Sequence, residues 1–136
     1  MPLQSIEWLT EEDAKEAMVS LQLKFSDDPI YILDFNPIGY VLQLEAISDF
    51  FNDDLLLLGA TIIRSIIKRH PLHDGNKRFG MILGTYFLAL NGILITATDQ
   101  AYFETALGLA SGTINRDELF EWLRDNSSID AAKQNQ

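Results

Sequence analysis

Between His70 and Arg78 the chain gathers an imidazole (His70), a carboxylate (Asp74), a glycine (Gly75), an amide (Asn76) and two cations (Lys77, Arg78). These types at this spacing suit the transfer of a phosphate-bearing group. An imidazole that titrates near neutrality can take a proton from an attacking hydroxyl. A carboxylate is a hard oxygen ligand for a magnesium ion shared with phosphates. Gly75 lets the backbone approach a ligand closely. Amides at the start of a helix, with Lys77 and Arg78 beside them, bind anionic oxygens. Together these parts describe phosphoryl or nucleotidyl transfer, where positioning and charge neutralisation carry most of the catalysis. Taken singly, a histidine before proline is an ordinary loop residue and Asp-Gly-Asn an ordinary capped turn. Their joint presence, with Lys-Arg following, favours a site.

Two apolar segments must position this loop. Asp53-Asp54 starts a helix that runs through Leu55 to Lys68, almost wholly apolar and therefore central. Pro71 disfavours helix at His70, so the helix stops there. A second helix starts near Gly75 or Asn76 and runs to Leu90, where Asn91-Gly92 ends it. Upstream, Thr10 caps a helix that opens on Glu11-Glu12-Asp13 and runs to about Phe25. Downstream, Ile93 to Thr98 reads as an extended connector and Asp99 to Leu109 as a helix. Asn115 and Glu118 make a capping box for a last helix anchored by Leu119, Phe120, Trp122 and Leu123. Residues 30 to 44 are ambiguous: Tyr40, Val41 and Leu42 suit either a short strand or a loop between short helices. The expectation is an all-α domain of about six helices covering 1–136, with a frayed polar tail over 126–136.

Composition narrows the function. The net charge of −10 argues against general nucleic-acid binding, which needs a basic surface. Five of the ten basic residues nevertheless fall at Arg64, Lys68, Arg69, Lys77 and Arg78, with Asp74 the one acid among them. An acidic chain with one basic spot suggests a local anion site. Lys68 and Arg69 also fit a merely solvated helix face. Cysteine is absent, which excludes disulfides and thiolate metal sites and agrees with a cytoplasmic chain. No signal peptide is visible at Met1 to Leu9, and no apolar run is long enough to span a bilayer.

The stretch His70-Pro71-Leu72-His73-Asp74-Gly75-Asn76-Lys77-Arg78 resembles the Fic/Doc family. Lys77, and Met81 where Fic enzymes carry a second arginine, place it on the Doc ("death on curing") side. The likeness reaches Trp8 to Asp13 at the start, and Leu88 to Gly92 and Leu109 to Arg124 in the C-terminal half. The resemblance implies the all-α Fic fold, with the active loop between two central helices and one short β-hairpin flap that docks the target. It also implies His70 as general base, Asp74 as magnesium ligand, and Gly75, Asn76, Lys77 and Arg78 as holders of ATP phosphates. Doc toxins transfer the terminal phosphate of ATP to elongation factor Tu and are restrained by an antitoxin protein; Fic enzymes transfer AMP instead. No Ser or Thr here has Glu four positions on, so the family's internal inhibitory helix is not visible.

Several departures qualify the expectation. Leu72 replaces an aromatic anchor, Phe79 adds a ring that would reshape the nucleotide pocket, and His73 is an addition expected to be exposed and idle. The candidate flap is Ile38 to Leu44. Two rival readings stand beside the transferase. A metal-dependent phosphohydrolase of the His-Asp type is suggested by His73-Asp74 but needs more ligands than the two histidines supply. An inactive interaction module of the same fold is the other.

Overall fold

The computed structural model describes residues 5–130. Helix α1 (Glu11–Phe25) begins with a capping box: Asp13 N–H donates to Thr10 Oγ1, and Thr10 N–H to Asp13 Oδ2 at 2.8 Å. Helix α2 (Asn36–Leu42) lies in the stretch the sequence left undecided, and a 3-10 stretch, Leu44–Phe51, follows it. Helix α3 (Leu55–Arg69) and helix α4 (Asn76–Leu90) are the central pair. After them come strand β1 (Ile93–Ile95), helix α5 (Asp99–Ser111), helix α6 (Arg116–Asp125) and strand β2 (Ser127–Ile129). Among the described residues the architecture is all-α, with one small antiparallel sheet in which Ile93 pairs with Ile129 and Ile95 with Ser127.

Two expectations are corrected. Ile38 to Leu44 is not a strand or a flap. It is mostly helix α2, with Ile38, Val41 and Leu44 buried in the core, and Pro37 early in the first turn suits that start. Its apolar spacing belongs to a packed helix, not to an exposed ribbon. The tail expected to fray from 126 is ordered at its start. Ser127–Ile129 pair with β1, and Asp130 N–H donates to the Gly92 carbonyl at 2.7 Å. The remaining tail residues, 131–136, lie outside the described residues.

The core explains the apolar runs. Leu58 through Ile63, then Ser65 to Ile67, are all buried except Arg64, so α3 is covered on nearly every side. From α4 come Phe79, Met81, Leu83, Phe87 and Leu88. Where α3 and α4 cross, side chains are missing by design: a Cβ on Gly84 would lie 2.4 Å from Ile63 Cγ1. The close approach fixes both ends of the loop that connects the pair. Lys68 donates to the carbonyls of Leu109 and Ala110 at 3.4 and 3.5 Å, so it serves the C-terminal end of α5. Tyr102 is buried with its hydroxyl donating to the Met81 carbonyl at 3.0 Å, and burial pushes its phenol well above the usual range.

No helix among the described residues is long and apolar enough to cross a membrane.

Candidate active site

Helix α3 ends where the sequence requires, but the exit is tighter than proline alone predicts. His70 is the C-cap, with φ 52 and ψ 60, and its N–H donates to the Ile66 carbonyl at 3.2 Å. This left-handed conformation is uncommon for a residue with a Cβ. It turns the chain sharply and leaves the imidazole exposed, with no hydrogen-bond partner among the described residues. Pro71 and Leu72 then plunge inward; Leu72 is 1% exposed and fills the anchor position expected of it.

Asn76 locks the loop. Its Oδ1 accepts from the Leu72 N–H and its Nδ2 donates to the Leu72 carbonyl, both at 2.9 Å. Both ends of the amide are therefore spent on backbone. Asn76→Asp keeps the acceptor but loses the donor, placing an oxygen against the Leu72 carbonyl. We expect it to lower stability by about 1–3 kcal/mol, as when a partly buried hydrogen-bond partner is lost, measured by urea unfolding.

The start of α4 is open. Gly75 adopts φ 84, which glycine tolerates, and offers no side-chain cap. By contrast α1, α3, α5 and α6 are capped by Thr10, Asp54, Thr98 and Asn115. The first intrahelical bond is from Phe79 N–H to the Gly75 carbonyl at 2.9 Å. Among the described residues the amides of Asn76, Lys77 and Arg78 thus have no partner, and they lie at the positive end of the helix dipole. Lys77 has no ion pair among the described residues. Asp74 is exposed, and its Oδ1 accepts from Gly75 N–H at 2.8 Å. Arg78 is already engaged: Nη1 meets Asp99 Oδ2 at 2.8 Å, and its guanidinium lies over the rings of Phe25 and Phe103.

His73 is not idle. Its ring stacks on Tyr31, with centroids 3.9 Å apart and planes 4° from parallel. The extended segment around Ile32 runs antiparallel to the loop: Leu33 N–H donates to the Pro71 carbonyl at 2.7 Å and His73 N–H to the Tyr31 carbonyl at 3.2 Å. Residues 31 to 34 therefore brace the loop from outside. Phe79, expected to intrude on the pocket, is fully buried in the core instead. One helical position beyond the half-buried Lys77 and Arg78 turns its ring inward.

Phe25, Tyr31, Asp99 and Phe103 reach the loop without having been singled out. The one signal in the sequence was that Asp99 and Phe103 are four apart at the start of a helix, and so share a face. Among the described residues no group of three or more His, Asp or Glu could hold a metal. That removes the support for a His-Asp phosphohydrolase, which needs such a cluster. It is compatible with magnesium, which is commonly held by one or two carboxylates together with phosphate and water.

No curated protein matches the chain. The model of the Fic/DOC family matches residues 34–88, from just before α2 nearly to the end of α4. The likeness of the N-terminal helix and the C-terminal third therefore rests on the motifs alone, while over residues 34–88, loop and both central helices included, the chain is similar to the Fic/DOC family.

Proposed function

We propose that this chain is a Doc-like enzyme that transfers the terminal phosphate of ATP to a hydroxyl of a protein. Elongation factor Tu is the first candidate target, the setting is a cytoplasmic toxin–antitoxin pair, and the restraining antitoxin is a separate protein. The observation that carries the reading is the uncapped start of α4, with Lys77, which has no ion pair among the described residues, beside it and His70 and Asp74 exposed on the same loop. The residues suit a magnesium–ATP co-substrate: open amides for phosphate, the exposed Asp74 carboxylate for the metal, and the exposed His70 imidazole.

In this reading magnesium supplies charge neutralisation on the transferring phosphate. The chain's own residues do the rest. Gly75 gives the backbone its close approach, and the amides of Asn76 to Arg78 take phosphate oxygens. Lys77 adds a charge-assisted contact. His70, in its neutral form, accepts the proton of the target hydroxyl as that oxygen bonds to the terminal phosphorus of ATP, whose bond to the bridging oxygen breaks and releases ADP. Asn76 acts by holding the loop. Transfer of phosphate is favoured over AMP because Met81, which stands where AMP-transferring relatives have a second arginine, is buried in the core and carries no charge to the loop.

ATP labelled at the terminal phosphate, and separately at the α-phosphate, distinguishes these outcomes when incubated with the protein and a whole-cell extract. Label on protein from the terminal position alone supports the proposal. Label from the α-position moves the chain to AMP transfer, and none from either indicates an inactive module. Asp74→Asn should raise the magnesium concentration for half-maximal labelling by about tenfold or more, the scale on which altered ligand environments weaken metal sites. An unchanged magnesium titration would remove Asp74 from that role.

A further inference from the structure

We infer that Asp99, Phe25 and Phe103 form a clamp that holds the Arg78 guanidinium flat and ready for a phosphate, which makes them positioning residues of this site. The inference rests on the nucleotide-phosphate reading of the loop.

Three elements distant in sequence converge on one side chain. Phe25 is the last residue of α1, Arg78 lies in the first turn of α4, and Asp99 and Phe103 lie one turn apart on α5. The guanidinium carbon is 4.5 Å from the Phe25 ring centroid and 4.1 Å from that of Phe103. Both distances are well inside cation–π range. Asp99 fixes an edge, at 2.8 Å from Nη1. The rest of the guanidinium fork has no hydrogen-bond partner among the described residues, and it belongs to the residue whose own amide is open at the helix start.

A purely structural role explains this poorly. Phe25 is 47% exposed, so its ring does not need an arginine to bury it. Holding a long side chain in one rotamer costs entropy, and a surface ion pair returns little of it. That cost falls before any anion arrives, so an anion meets a fork already ordered. Asp99 also lowers the local positive potential, which opposes anion binding. Its side chain is 72% exposed against 24% for Arg78, so solvent screens that penalty. Positioning therefore outweighs competition.

The test is magnesium–ATP affinity by titration calorimetry, with the Arg78 Nε–H signal in the ligand-free protein as an independent readout. Phe103→Leu keeps apolar bulk but removes the aromatic face; Phe103→Tyr restores the face. We expect Phe103→Leu to weaken binding about threefold to tenfold, the scale of a part-buried cation–π contact, with Phe103→Tyr near wild type. Asp99→Ala should weaken binding several-fold, with Asp99→Asn in between because it still accepts a hydrogen bond. The Arg78 signal should be shifted by ring currents in the wild type and in Phe103→Tyr, and less so in Phe103→Leu. If the wild type binds and neither Phe103→Leu nor Asp99→Ala changes affinity, the clamp is overturned while the nucleotide reading stands. Tighter binding in Asp99→Ala would also overturn it, making Asp99 a competitor. If the wild type binds no magnesium–ATP, the nucleotide reading falls and the clamp with it.

Discussion

His70→Ala is expected to lower group transfer by about 10²- to 10⁴-fold, the contribution typical of a positioned general base, and to leave magnesium–ATP affinity nearly unchanged. The asymmetry follows from where the residues sit. The phosphate-binding groups proposed here belong to the start of α4, beyond Gly75, and the loop between is locked by Asn76 and Leu72. Removing an imidazole that makes no hydrogen bond among the described residues leaves that lock intact. The backbone at His70 needs care, because φ 52 favours glycine or asparagine. His70→Asn is therefore the matched variant: it tolerates the conformation and cannot serve as a base. Both should lose transfer and melt close to wild type. Full activity in either would remove the base; weakened nucleotide binding in both would give His70 a binding role instead.

Gly84→Val is expected to cost about 3 kcal/mol of stability, the upper part of the usual overpacking range, and to lower Tm by roughly 10 °C. An added Cβ would lie 2.4 Å from Ile63 Cγ1 and 2.7 Å from its Cδ1. Ile63 is fully buried and β-branched, so it has no free rotamer into which to retreat. The backbones of α3 and α4 must then separate, and His70 moves relative to the start of α4. Loss of transfer should therefore accompany the loss of stability. Gly39→Ala is the contrast. Its Cβ would meet only the Phe35 ring, at 3.4 Å, and helix propensity favours alanine by about 1 kcal/mol. Thermal melts of both variants check the difference. A Gly84→Val protein as stable as wild type would mean the helices are less closely held than these distances require.

The elements carried by local rules were legible before the structure. Thr10, Asp54 and Asn115 cap where their types and neighbours say they should, and Pro71 with His70 ends α3. The grouping of the loop residues was legible as composition: His70 and Asp74 are exposed, and Gly75 and Lys77 half-buried, on one turn. What the chain order hid was long-range. Residues 30 to 44 combine an extended brace with a seven-residue helix, too short for periodicity to declare either. Asn76 reads as a ligand group, yet its amide is spent on Leu72, a bond that depends on the loop closing. Ser127–Ile129 form a strand only because Ile93–Ile95 offers an edge after two intervening helices. The company of Arg78 likewise comes from α1 and α5, and no local spacing relates Phe25 to Phe103.

The most direct test of the central claim is a single reaction read by intact-protein mass spectrometry. It contains the purified protein, magnesium, ATP and elongation factor Tu, with His70→Asn in parallel. The account predicts a phosphate-sized mass gain on the factor that is absent with the variant. A nucleotide-sized gain would contradict phosphate transfer and assign AMP transfer to the same loop, and an unmodified factor would contradict the proposed target.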